Sequence, residues 1–135
     1  MSEKVEHLKM IEIIIERMGK NSFSMKGWAT TLVTGVFALA AKESNPLFFL
    51  MAYLPIIAFW LLDSYYLQRE RLFKSLYDSV RIMNESEINF SMDISPYKDA
   101  SINKYRHCLI SLSEAIYIPL ALSPILVIII TNILM

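Results

Sequence analysis

The residues whose side chains could do chemistry are few and scattered: His7, His107, Cys108, Ser111 and Ser113. A metal centre needs several ligands at a regular spacing, and one cysteine with two distant histidines does not supply it. Ser111 and Ser113 lie close to His107. No orienting acid and no glycine turn for an oxyanion hole accompanies them, so a hydrolase is not expected. Gly19, Gly27 and Gly35 are the only glycines, and they build no phosphate cradle. The reading is therefore non-enzymatic, without cofactor or metal. Cys108 is the only cysteine, which precludes an intrachain disulfide. It fits a reducing compartment, as a small apolar filler.

Two constellations suit binding better than catalysis. Gly27, Thr31 and Gly35 repeat every four residues, with Thr30, Thr34, Ala38 and Ala41 beside them. On a helix these make a broad face of small side chains, across which backbones approach closely in lipid and threonine hydroxyls can bond. Such a face implies oligomerisation or a polar pore lining, extended by Ser123 and Asn132, or else contact with other helices of the same chain. The second constellation is Arg69, Arg71, Arg81, Lys98, Lys104 and Arg106 with Phe90 and Tyr97. It reads either as a basic, aromatic pocket for an anionic metabolite or nucleotide, or as a flank that binds anionic lipid.

Both groups must be positioned by long helices. The chain has 135 residues, 55% hydrophobic and 19% charged, and the apolar residues are gathered in runs too long for one soluble core. An all-α membrane protein with three transmembrane helices follows. Its divisions are a cytoplasmic amphipathic helix over 1–22, a transmembrane hairpin over 23–62 (23–41 and 46–62), a cytoplasmic helix extension and loop over 63–114, and a third span over 115–135. Pro55 is expected to kink the second span. Pro119 and Pro124 are tolerable in the third if a hydroxyl such as Ser123 satisfies the freed carbonyls.

Leu8, Ile11, Ile15 and Met18 form an apolar stripe on the first helix, and Leu72, Phe73, Leu76, Tyr77 and Val80 form another beyond the second span. A tight turn between the spans starts these helices side by side, so the two stripes are expected to meet. Between Ile88 and Ile94 apolar residues alternate with polar ones, the pattern of a short half-buried strand within the loop. Helix is expected to resume near Ala100 and to run on into the third span.

Lys and Arg number five up to Lys26, one in the turn at Lys42, and seven between the second and third spans. That asymmetry places residues 1–25 and 63–114 in the cytoplasm, with the turn at Lys42 to Asn45 and the C-terminus outside. Lys26 is read as snorkelling to the interface, and no ionisable residue stands mid-span, which disfavours a secondary transporter. The zero net charge and the lack of an aromatic-interleaved basic stripe exclude nucleic acid. The N-terminus lacks the basic-then-apolar order of a cleaved leader, so none is expected.

Arg17-Met18, Asn21-Ser22-Phe23, Lys26-Gly27-Trp28-Ala29, Tyr66-Leu67 with Arg69-Glu70-Arg71-Leu72-Phe73, and Phe90-Ser91-Met92 with Ser95-Pro96-Tyr97 together resemble a family of small bacterial multi-pass inner-membrane proteins. The resemblance implies a membrane-acting effector in anti-phage defence. The functional expectation is a homo-oligomeric inner-membrane protein that answers a soluble cytoplasmic partner or an anionic small-molecule signal, and opens a pore. The alternative is a membrane anchor or accessory subunit for a soluble cytoplasmic partner.

Overall fold

Ser2 begins the first helix: its hydroxyl accepts the Val5 N–H at 3.2 Å, and Glu3 and Glu6 complement the exposed N–H groups of the first turn. In the computed structural model, which describes residues 2–43 and 45–134, helix α1 then runs unbroken from Glu3 to Ala40. Its 38 residues reach roughly 57 Å at ~1.5 Å each. The amphipathic helix and the first apolar run are thus one element. Gly19, Asn21 and Ser22 are weak helix formers, but tertiary contact overrides them: Glu70 lies against Gly19, and Ser22 bonds to Asp63.

Asn45 caps the return, its side chain accepting the Leu47 N–H at 3.0 Å, and Pro46 opens a 3-10 turn over Pro46–Ala52. Helix α2 follows over Tyr53–Arg81. Pro55 is its third residue, so the missing N–H falls where 3-10 bonding gives way to α, instead of within an established helix. Two stretches, Pro46–Arg81 and Leu112–Leu134, are long and apolar enough to cross a membrane. The apolar half of α1, diluted by Lys26 and its threonines, does not join them.

Helices α1 and α2 form an antiparallel hairpin with two cores. In the charged half, Ile11 meets Leu72, Leu76 and Val80, so the two stripes do face each other; Ile94 from the loop completes the cluster. In the apolar half Val33 meets Ala52 and Ile56. Ile11 is wholly buried, and Ile11→Val removes one methylene at a cost of about 1 kcal/mol. Amide exchange in the first turns of α1 should then quicken about fivefold, while the apolar half of the hairpin keeps its protection.

The loop departs from expectation. Among the described residues there is no strand. Ile88, Met92 and Ile94 do pack on the helices, but Phe90 has φ 56°, which turns the chain out of extended conformation. Side-chain turns replace a ladder: Asn89 accepts from the Ser91 N–H, Ser91 from Asp93, and Asp93 from Ser95. The hydroxyl and N–H of Ser95 hold the Asp93 carboxyl below its ordinary range. A lone extended segment has no partner to pair with, and burial on a helical core serves its apolar side chains instead. Asn103, also buried, donates to Ser75 Oγ and Tyr97 O, while Gln68 donates to its carbonyl, which clamps the loop onto α2.

Nor does helix run on from Ala100. The chain forms a 3-10 turn at Ser101–Asn103, helix α3 over Tyr105–Leu109, a further 3-10 turn at Leu112–Glu114, and helix α4 over Tyr117–Leu134. Ser111 makes the break: its backbone is extended and its hydroxyl donates to the Cys108 carbonyl at 2.8 Å. Pro119 falls in the first turn of α4. Pro124 is interior, and the carbonyl it frees, that of Leu120, accepts the Ser123 hydroxyl at 2.7 Å. Leu120 and Ala121 pack on the second core, and the Tyr53 hydroxyl donates to the Ala121 carbonyl.

Candidate functional site

Three charged residues border the apolar runs. Lys26 is the last charge of α1, Asp63 the first after the second run, and Glu114 the last in the chain. The hairpin sets Lys26 and Asp63 at one level, and the break before α4 brings Glu114 to it. Lys26 Nζ lies 2.6 Å from Asp63 Oδ2 and 3.8 Å from Glu114 Oε1. Asp63 is 0% exposed and Glu114 2%, so this is an interior ionic cluster joining α1, α2 and the start of α4. Snorkelling does not describe Lys26, which turns inward between two carboxyl groups, its side chain 18% exposed.

Donors are unevenly shared between the carboxyl groups. Asp63 receives three: the Ser22 hydroxyl on Oδ1, and the Lys26 ammonium and Tyr117 hydroxyl, the latter at 3.1 Å, on Oδ2. Lys26 also donates to Ser22 Oγ at 3.0 Å. Trp60 stacks on Tyr117 with ring centres 6.1 Å apart and donates to the Leu109 carbonyl, closing one side. Among the described residues neither oxygen of Glu114 has a hydrogen-bond partner. Buried pairs contribute little net stability against apolar replacements, but losing one member is costly, and this one links α1, α2 and the start of α4.

Sequence reasoning missed this site because it weighed each charge by its own helix. The available signal was positional: where apolar runs fold back on one another, the charges at their near ends stand together.

Beside the cluster lies Cys108, completely buried, its sulfur 3.7 Å from Arg71 Nη1. Burial pushes its thiol above the ordinary value and outweighs the Arg71 guanidinium, which acts the other way. Alkylation of the folded protein by a maleimide should be more than about tenfold slower than in denaturant. Equal rates would place the thiol on the surface.

The basic residues anticipated as a pocket are dispersed. Arg71 donates to the Ile102 carbonyl at 2.8 Å and is committed to holding the loop. Arg69 lies over the Tyr65 ring, 5.0 Å from its centre. Arg81 is exposed and pairs with Asp78, roughly 15 Å along α2 from Arg71 at ~1.5 Å per residue. Tyr97 packs on the Ile11 core, Lys104 is half-buried beside Asn103, and Arg106 is exposed. The loop brings Lys104 and Arg106 to the α2 end that bears Arg69 and Arg71, and leaves Arg81 apart.

The small-residue face holds together. Gly27, Thr30, Thr31, Thr34, Gly35 and Ala38 are all exposed, on the side of α1 away from buried Ala29 and Val33. Among the described residues, leaving out the adjoining backbone of α1 itself, nothing lies within 4 Å of where a Cβ would stand on Gly27 or Gly35, so no other described element covers them. The hydroxyls of Thr30, Thr31 and Thr34 donate to the carbonyls of Lys26, Gly27 and Thr30, each at 2.9 Å. With their protons thus used, they present methyl groups and acceptor lone pairs outward. No family model, curated protein or solved structure matches this chain.

Proposed function

We propose that this protein is a non-enzymatic membrane protein that crosses the bacterial inner membrane three times, with its N-terminus and residues 63–114 in the cytoplasm, and self-associates through the Gly27–Thr31–Gly35 face. The observation that carries this reading is that uncovered face. In water two exposed glycines cost a helix about 1 kcal/mol each relative to alanine and gain nothing, whereas helices in lipid approach closely through such faces of glycine, threonine and alanine. Support for the bilayer comes from α4, whose Ile118, Leu122, Leu126, Ile133 and Leu134 point away from the protein. Twelve of thirteen Lys and Arg residues fall on one side of the apolar runs, which favours the stated orientation.

The hairpin of α1 and α2 would carry a cytoplasmic signal to the spans, because its charged half and apolar half belong to the same two helices. That signal is a soluble partner or an anionic small molecule, and the output is a change in the assembled spans that permeabilises the membrane, as in a defence effector. Induced expression in bacteria loaded with a membrane-potential dye tests this. Depolarisation that is lost in Gly35→Leu, at equal membrane abundance, is the expected result. A steady potential with the protein inserted selects instead a membrane anchor or accessory subunit for a soluble partner.

A further inference from the structure

We propose that the Asp63–Glu114 pair is a proton-binding site: at neutral pH it holds one proton, carried on Glu114 and shared toward Asp63. The reading is independent of whether the protein conducts or anchors. Two carboxyl groups touch a single ammonium, Lys26, at 2.6 and 3.8 Å, and both are all but fully buried. Full ionisation would set two buried negative charges side by side against the one ammonium that contacts them, with Arg71 acting only from farther off, and binding one proton relieves that repulsion.

The donor inventory says which group carries it. Asp63 accepts from Ser22, Lys26 and Tyr117, as an ionised carboxylate should. Glu114 has no hydrogen-bond donor on either oxygen among the described residues, a less favourable setting for a carboxylate than for a carboxylic acid. Its own O–H would supply the missing bond, since the Asp63 carboxylate stands within hydrogen-bonding reach. The other groups facing it are Arg71 on α2, Tyr105 and Cys108 on α3, and Tyr117 on α4. Arg71 is already bonded to the Ile102 carbonyl and lies beside the Cys108 sulfur. A metal ion is a poorer occupant, for no group of three His, Cys, Asp or Glu among the described residues could hold one, and the Lys26 ammonium fills the cationic position.

Infrared spectroscopy of the full chain in lipid nanodiscs at neutral pH tests the assignment. Wild type should show the carbonyl band of a protonated carboxylic acid, shifted in heavy water and lost in Glu114→Gln. In Asp63→Asn the band should also vanish, because Glu114 then ionises as the only counter-ion of Lys26. Glu114→Gln should keep the wild-type helical signal and melting behaviour, since its amide donates to Asp63 as the acid did. Absence of the band in wild type, or its persistence in Glu114→Gln, overturns the proposal; both are readable even if Asp63→Asn fails to fold.

Discussion

Lys26→Met is expected to cost about 3–5 kcal/mol of stability, far more than a change at an exposed lysine. Methionine keeps most of the volume and the unbranched stem, so the loss isolates the ammonium. Without it, Asp63 stays 0% exposed with no cation in contact, held only by neutral donors, the Ser22 and Tyr117 hydroxyls and the proposed Glu114 acid. Asp63→Asn should be milder, about 1–2 kcal/mol, because Glu114 at 3.8 Å remains to balance Lys26 and an asparagine still accepts from Ser22. Combining the two substitutions removes both charges and should recover most of the Lys26→Met loss, the non-additivity expected of a directly bonded pair. Denaturation in mixed micelles, followed by the helical signal, measures all three. A cost below about 1 kcal/mol for Lys26→Met would mean that the ammonium is effectively in solvent, as a snorkelling side chain would be.

What the sequence discloses of this fold follows from the range of the interactions. The apolar stripes around Ile11 and Leu72 are periodic along one helix, and the tight turn near Asn45 determines that they meet; both facts are local. The role of Ser123 is local as well, since the carbonyl freed by Pro124 is one turn away. The loop is different. The alternation at Ile88–Ile94 is real, and Ile88, Met92 and Ile94 pack on the helices while Phe90 stays exposed, but the same pattern serves a chain lying irregularly over helices, and only the positive φ of Phe90 and the side-chain turns decide between the two. The helix break at Ser111 depends on one hydroxyl competing for a backbone carbonyl, which composition does not reveal. The ionic cluster was hidden for a third reason: Lys26, Asp63 and Glu114 are 37 and 51 residues apart in successive steps along the sequence. Each is unremarkable alone, and their meaning arises from being brought to one level. The scattering of the arginines shows the converse, that like residues close in sequence can each be spent on separate contacts.

Gly35→Leu is expected to dissociate the proposed assembly while leaving the protomer intact, and the geometry makes these effects separable. A Cβ on Gly35 would meet nothing within 4 Å, so the substitution should change the protomer's own stability by less than about 0.5 kcal/mol. In a two-fold contact the new side chain enters twice. Overpacking costs about 1–3 kcal/mol for each, so association should weaken by roughly 2–6 kcal/mol, a factor of at least about thirty. Ala29→Leu gives the contrast. Ala29 is 0% exposed on the opposite face of α1, so the added bulk should weaken the fold within one chain. Light scattering of detergent-extracted protein and crosslinking in native membranes report the first effect, and micellar denaturation the second. If Gly35→Leu leaves the assembled size unchanged, the bare face of α1 is covered by lipid alone. Self-association, if it occurs, would then run through α4 or the cytoplasmic half of the hairpin.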